Sequence, residues 1–287
     1  SFASWMGDKA VDNLYPEWNM WTQFVSNDTN AGLGLDGLRN SHSIEAEVTN
    51  PAQIRELFDA ISYSKGGATL RMLEEFLGQE TFRKGLQIYI SNNQYSNART
   101  EDLWRALEES SGKPVTMIMD SWVKQTGYPV VNVGLNRESN PATIELSQNR
   151  FLYDHIIDKD YKDNTLWQIP IGISVGSDTE NTLHLMDSPN SEVNINLPDT
   201  PSWIKVNAQQ TGFYRVNYAN EEWDKLKEAV SSLALPATDR LGLQNDAYAL
   251  MKAGYAPATQ FLSMAEAYQN ENNATVWGDL SMNLRGL

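Results

Sequence analysis

Up to about residue 126, apolar residues recur at spacings of three and four, the pattern of helices that bury one face. Asn50 is placed to cap a helix beginning at Pro51, with Gln53 at the reciprocal capping-box position. Ile54, Leu57, Phe58 and Ile61 then predict one buried face on that helix. Leu70, Leu73, Phe76 and Leu77 predict the same on the next, with Gly78 as its stop. Phe82, Leu86 and Tyr89 continue the pattern. Leu103, Trp104 and Leu107 follow a Thr100 cap, and Met117, Ile118, Trp122 and Val123 predict a last helix ending near Gly127. Between these segments, Ile44 to Val48 alternates as a strand does.

From Tyr128 to about Tyr218 the period changes. Short alternating or β-branched runs appear at Val130 to Val133, Thr143 to Leu146, Leu166 to Val175, Thr182 to Leu185, Trp203 to Val206 and Phe213 to Val216. Turn-rich stretches separate them, including Asn136 to Pro141 and Asp187 to Ser191, and together they predict a β-sandwich. The helical period returns at Ala219. Trp223, Leu226 and Val230 form one face; Pro236 and Asp239 open a helix holding Leu241, Leu243, Ala247 and Leu250, which Gly254 stops. Two shorter helices follow.

Composition supports a packed protein rather than a disordered one. Of 287 residues 41% are hydrophobic, with nine Trp and twelve Tyr, material for roughly two domains and part of a third. The formal charge of −15 repels phosphate backbones and argues against nucleic-acid binding. With no Cys, disulfides, thiolate metal sites and Cys nucleophiles are excluded for this sequence. No apolar run approaches the ~20 residues that a membrane-spanning helix needs. Nothing in the sequence specifies a compartment.

Few residues suggest chemistry by themselves. Gly32-Leu33-Gly34-Leu35-Asp36-Gly37 matches a dinucleotide-binding string but lacks the preceding strand and following long helix. The three histidines, His42, His155 and His184, are far apart, and no H-E-x-x-H occurs. His42 is expected to be a loop or packing residue, and His155 and His184 surface residues. The acidic pairs Glu74-Glu75, Glu101-Asp102, Glu108-Glu109 and Glu221-Glu222 are expected on solvated faces or helix starts. Ile61 to Ala68 predicts a helix end, a tight Gly-containing joint and a new helix start. Tyr63 at that joint is either a packing residue with a satisfied hydroxyl or a fixed phenol facing a cleft.

The run Asn50 to Gly66, with its Ser62-Tyr63-Ser64-Lys65-Gly66 end, resembles zinc aminopeptidases of the gluzincin class. That group includes aminopeptidase N and the puromycin-sensitive and endoplasmic-reticulum aminopeptidases. Other stretches agree in order. Ser1-Phe2-Ala3 resembles the tail of the family's N-E-[GS]-F-A segment, and Asp120 to Val130 its exit from the catalytic domain. Gly212 to Tyr218 resembles the end of the family's β-sandwich, and Asp239 to Leu243 the start of its C-terminal helical domain. Ser41-His42-Ser43-Ile44 departs from the family's S-H-P-[VI], with Ser43 in place of Pro.

The resemblance implies an α+β multi-domain chain. Residues 1–127 would be the helical C-terminal part of a thermolysin-like catalytic domain, 128–218 a β-sandwich, and 219–287 the beginning of a C-terminal α-helical domain. It implies a fragment of a zinc metallo-aminopeptidase that hydrolyses N-terminal residues from peptide substrates. Tyr63 falls at the family's catalytic tyrosine, where a neutral phenol donates to the oxyanion, and Gly66 and Gly67 would hold it by a tight helix start. The family's third zinc ligand would immediately precede Ser1, so zinc belongs to the parent enzyme. This chain would hold no ligand and be inactive alone; no substrate-binding residue is assigned. The alternative is a non-catalytic peptide-binding or scaffold module derived from the same family. Phe2, Trp5, Trp18 and Trp21 are expected to present an apolar face that leads to self-association or to a local rearrangement of residues 1–48.

Overall fold

The computed structural model describes residues 1–157, 163–176, 181–197 and 203–287. The first helices are α1 (Phe2–Leu14), α2 (Met20–Phe24) and α3 (Asn30–Asp36), the last two joined by a π-helical turn at Val25–Thr29. After a 3-10 turn at Pro51–Arg55, a second π-helical turn, Ile61–Lys65, runs into α4 (Gly66–Leu77). Then come α5 (Gln79–Asn92), α6 (Thr100–Ser111) and α7 (Val115–Val123). Leu70, Leu73, Phe76 and Leu77 are buried, and Gly78 ends α4 with φ +85, as the apolar spacing predicts.

Seven strands follow among the described residues: β1 (Pro129–Asn136), β2 (Ala142–Arg150), β3 (Ile169–Val175), β4 (Thr182–Met186), β5 (Asn190–Ile195), β6 (Ile204–Val206) and β7 (Arg215–Tyr218). They form a four-stranded sheet, β5-β2-β1-β7, and a three-stranded sheet, β4-β3-β6. The β1–β7 pair is parallel, with Val130 opposite Arg215 and Val133 opposite Tyr218; the other pairs are antiparallel. In β2 the alternate residues Ala142, Ile144, Leu146 and Gln148 are buried, the period-two pattern of a half-buried strand. In β3, Ile169 to Ile173 are buried without alternation, because α4 packs on that strand as well. The chain closes with α8 (Asn220–Ser231), α9 (Ala237–Ala253), α10 (Ala258–Glu266) and α11 (Ala274–Arg285).

A continuous hydrophobic cluster joins the helices and the sheets. Trp122 of α7 sits at its centre: the indole packs on Trp167 and Phe213, and its Nε1 donates to the Gln168 carbonyl at 2.9 Å. Tyr128, just before β1, stacks on Phe151 and meets Phe213 edge to face.

The structure corrects several expectations. The Asn50 capping box forms, but it opens a five-residue 3-10 turn and not an amphipathic helix. Ile54 and Phe58 are consequently exposed, and only Ile61 of the expected face is fully buried. Ile44 to Val48 is not a strand; the Glu45 N–H donates to the Val123 carbonyl at 2.8 Å and its carbonyl accepts from Ser43 Oγ at 2.9 Å. Met117 is exposed on α7, and that helix ends at Val123. The cap of α6 is Arg99, whose N–H donates to Asp102 at 2.8 Å, with Thr100 already helical. Part of the Asp187–Ser191 turn belongs to β5, a strand whose polar Asn-Ser-Glu start hid its period. Trp5 is fully buried against Phe82, and Trp21 is half-buried under the Arg71 guanidinium. Of the expected apolar face, Phe2 and Trp18 remain exposed, the latter stacked on exposed Tyr15.

Candidate active-site turn

Tyr63 projects from the π-helical turn Ile61–Lys65, a geometry that inserts one residue into the helical ladder and recurs at functional sites. The Lys65 N–H reaches back five residues to the Ala60 carbonyl at 2.9 Å, while Tyr63 N–H bonds the Asp59 carbonyl at 3.1 Å. Gly66 continues the helix with φ −58 and ψ −41, so the expected tight joint is absent. Gly66 serves close approach instead: a Cβ there would stand 2.8 Å from Ser1 Cβ, whereas one on Gly67 would meet the Phe24 ring at 3.4 Å, an ordinary van der Waals contact.

Three aspartates hold the turn from below. Asp59 Oδ1 accepts from the Ile61 and Ser62 amides at 2.8 and 3.1 Å. Asp28 Oδ1 accepts from Ser64 Oγ at 3.1 Å. Asp36 Oδ2 pairs with Lys65 Nζ at 2.8 Å, both side chains fully buried. Burial pulls the Lys65 ammonium below its usual pKa, and the Asp36 carboxylate opposes that pull. Ser62 Oγ donates to the Leu57 carbonyl.

Against that support, the Tyr63 ring is 45% exposed, with the 65%-exposed Phe58 ring 6.0 Å away. Among the described residues its hydroxyl has no hydrogen-bond partner. Tyr63 is therefore a phenol on a held turn and not a core residue with a satisfied hydroxyl.

His42 belongs to this support. Its Nδ1 lies 2.8 Å from the Ser43 carbonyl and its Nε2 2.9 Å from Asp59 Oδ2. Both neighbours are acceptors, so the protonated ring can donate to each of them. Burial lowers the His42 pKa, but the Ser43 carbonyl and the Asp59 carboxylate outweigh it, leaving the value above that of an ordinary histidine. His155 and His184, expected at the surface, are half-buried: His155 stacks on Tyr255, and His184 bonds Ser191 Oγ at 2.6 Å.

Asp36 and Lys65 were invisible as partners, being 29 positions apart and unlike any spacing motif. The Gly32–Gly37 string that contains Asp36 is helical. Its Gly32 lets α3 approach the turn, since a Cβ there would lie 3.1 Å from Lys65 N and 2.9 Å from Phe213. Buried charges elsewhere were likewise missed. Glu74 pairs with Lys9 at 2.8 Å and Glu222 with Arg137 at 2.8 Å, both carboxylates buried; Glu74 lies within α4, whereas Glu222 stands in the first turn of α8, a helix start as expected. Arg215 pairs with Asp246 at 3.2 Å and Lys205 with Asp239 at 3.4 Å beneath α9. Burial raises both of those carboxyl pKa values against the pull of their cations. Arg71 of α4 donates to the Gln210 and Gln209 carbonyls at 2.8 and 3.0 Å, and burial lowers its pKa to about 10.

Among the described residues, no group of three or more His, Cys, Asp or Glu is placed to hold a metal ion. None of the described helices is long and apolar enough to cross a membrane.

The turn thus sits in a helical segment whose sequence, residues 1–122, matches the Peptidase family M1 domain. Residues 1–122 therefore carry the sequence of a peptidase family M1 domain. Its residues 203–287 match the ERAP1-like C-terminal domain. Aminopeptidase M1-A of Oryza sativa subsp. japonica is 42% identical over 280 residues, covering 96% of this chain and 31% of that protein. Aminopeptidase M1 of Arabidopsis thaliana is 40% identical over 292 residues, 97% of this chain and 32% of that protein. The puromycin-sensitive aminopeptidase of Caenorhabditis elegans is 38% identical over 279 residues, 96% of this chain and 29% of that protein. The chain spans about a third of the length of these curated relatives.

Proposed function

We propose that this chain is the part of a zinc metallo-aminopeptidase that supplies the active-site tyrosine, in an enzyme that removes N-terminal residues from peptides. The observation that carries this is Tyr63 itself: a half-exposed phenol on a turn fixed by Asp28, Asp36 and Asp59, with no partner for its hydroxyl among the described residues. Ser1, which the family resemblance places next to a zinc-ligating glutamate, packs against Gly66, three residues beyond Tyr63. The turn and that stretch of chain are thus neighbours.

In this proposal the Tyr63 hydroxyl donates to the oxyanion that forms when water adds to the first peptide carbonyl. A phenol hydroxyl is a hydrogen-bond donor, and a preorganised donor of this kind contributes about 10²–10³ in rate. Among the described residues no donor set converges that fits zinc. Where zinc is bound in the enzyme it would supply Lewis acidity to the carbonyl. Residues 1–127 are read as the helical part of a thermolysin-like catalytic domain, 128–218 as a β-sandwich and 219–287 as the beginning of a helical domain, consistent with the helices and two sheets.

The 287-residue chain alone should then be silent toward aminoacyl chromophores, with or without added zinc. Zinc-dependent release of the chromophore by the purified chain would show that the ligand set lies within it and overturn this assignment.

A further inference from the structure

Lys65 has a place in the fold that the role proposed for Tyr63 does not explain. A fully buried ion pair is weak evidence for stability, since well-packed apolar residues of similar size often do as well. What the Lys65–Asp36 pair does fix is geometry. Lys65 Nζ donates to the Gly127 carbonyl at 3.0 Å and to the Gln125 carbonyl at 3.3 Å. Asp36 Oδ1 accepts from the Gly127 N–H at 3.0 Å and from Ser41 Oγ at 2.7 Å. Both backbone polar groups of Gly127 are therefore held by the two members of one ion pair.

Gly127 lies between α7 and β1 with φ +87, a conformation that favours glycine. The Arg150 guanidinium occupies the space beside it, so a Cβ there would stand 2.6 Å from Arg150 Nε. At the other end of the pair, Lys65 is the last residue of the π-helical turn, two positions after Tyr63. Residues two apart on a helix point to nearly opposite sides. The phenol faces out because the ammonium is drawn in.

We propose that Lys65 is a positioning residue: with Asp36 it clamps the Tyr63 turn to α3 and to the Gly127 joint, and so fixes the direction of the phenol. This rests on Tyr63 being the oxyanion donor. Lys65 touches no substrate in this arrangement and acts only through Tyr63.

The test uses the full-length, zinc-loaded protein and the variants Lys65→Met, Lys65→Met with Asp36→Asn, Tyr63→Phe, and Tyr63→Phe combined with the pair. The Lys65→Met/Asp36→Asn protein leaves no buried charge unpaired and keeps the Oδ1 acceptor, so it decides the matter if Lys65→Met fails to fold. Misplacing a catalytic group by about 1 Å costs about 10²-fold in rate. The paired variant should lose about 10²-fold in kcat with little change in KM, and nothing further in the Tyr63→Phe background. A 3-fluorotyrosine label at position 63 should show a shifted or broadened fluorine resonance in the paired variant. Parental kcat in that variant, or a loss that multiplies with that of Tyr63→Phe, overturns the clamp. An unchanged fluorine resonance does so as well, whatever Tyr63→Phe does to kcat. Parental kcat in Tyr63→Phe overturns the oxyanion role instead, and the fluorine resonance then decides the clamp by itself.

Discussion

Gly242 offers a sharp test of the packing beneath α9. It lies inside that helix, where Ala is normally preferred by about 1 kcal/mol. A Cβ at this position would stand 2.7 Å from Gln210 Nε2 and nearer still to its Cδ and Oε1. Gln210 has little freedom to yield. Its side chain is buried, its backbone is left-handed at φ 51, its carbonyl accepts from Arg71 Nη1 at 2.8 Å, and its Oε1 accepts from Lys205 Nζ at 3.2 Å. Overpacking a core costs about 1–3 kcal/mol, and weakening a hydrogen bond from a buried ammonium about 1.5–3 kcal/mol. Set against the helix gain, Gly242→Ala should destabilise the protein by about 1.5–5 kcal/mol. Urea unfolding followed by tryptophan fluorescence measures it. In a Gln210→Gly background the clash is gone and the left-handed backbone is tolerated, so the same substitution should stabilise by about 1 kcal/mol. A neutral or stabilising Gly242→Ala in the parent would refute the reasoning, because propensity alone would then govern the site.

Further outcomes follow from individual contacts. Phe58→Ala should shift stability by no more than about 0.5 kcal/mol, because the ring is exposed, whereas Ile61→Ala should cost about 2–5 kcal/mol; equal losses would restore the longer amphipathic helix. The raised pKa of His42 means that its pairing with Asp59, in the field of Asp36, supports the turn fully below the ordinary histidine value. That support fades as pH rises through the folded value. An NMR titration of His42 should fall in Asp59→Asn, and a parental His42 titrating at or below the ordinary value would contradict the pairing. The exposed Tyr15–Trp18 stack and Phe2 should support self-association in sedimentation, removed by Trp18→Ser; a monomer at high concentration would oppose it.

Much of the fold could be read from the sequence where apolar spacing was itself the cause. The buried face of α8 lies where spacings of three and four put it, the apolar residues picked out on α4 and α9 are buried although those helices are covered on nearly every side, and six strands follow alternating or β-branched runs. Failures occurred where local signals and tertiary packing disagree. Asn50 and Gln53 make their capping box whether or not a long helix follows, so the cap predicted more than it could enforce. β5 begins Asn190-Ser191-Glu192 because its early residues face outward, and its apolar Val193 and Ile195 are too few to show a period. The site divided in the same way. Tyr63 was singled out because a motif surrounds it, although sequence physics left its role open. Asp36 and Lys65 make an ion pair only after α3 and the turn have packed, and no local spacing records such a contact. Gly66 was read for its backbone freedom, yet it is helical and what matters is its missing side chain beside Ser1.

The central claim is that Tyr63 of this chain donates to the reacting centre of an aminopeptidase. The most direct measurement is steady-state hydrolysis of an aminoacyl chromophore by the full-length, zinc-loaded protein and its Tyr63→Phe variant, with melting temperature as a check on folding. The account predicts that kcat falls about 10²–10³-fold while the variant melts with its parent, because the substitution removes one hydroxyl that is exposed and bonds no described residue. A variant that keeps the parental kcat would contradict it.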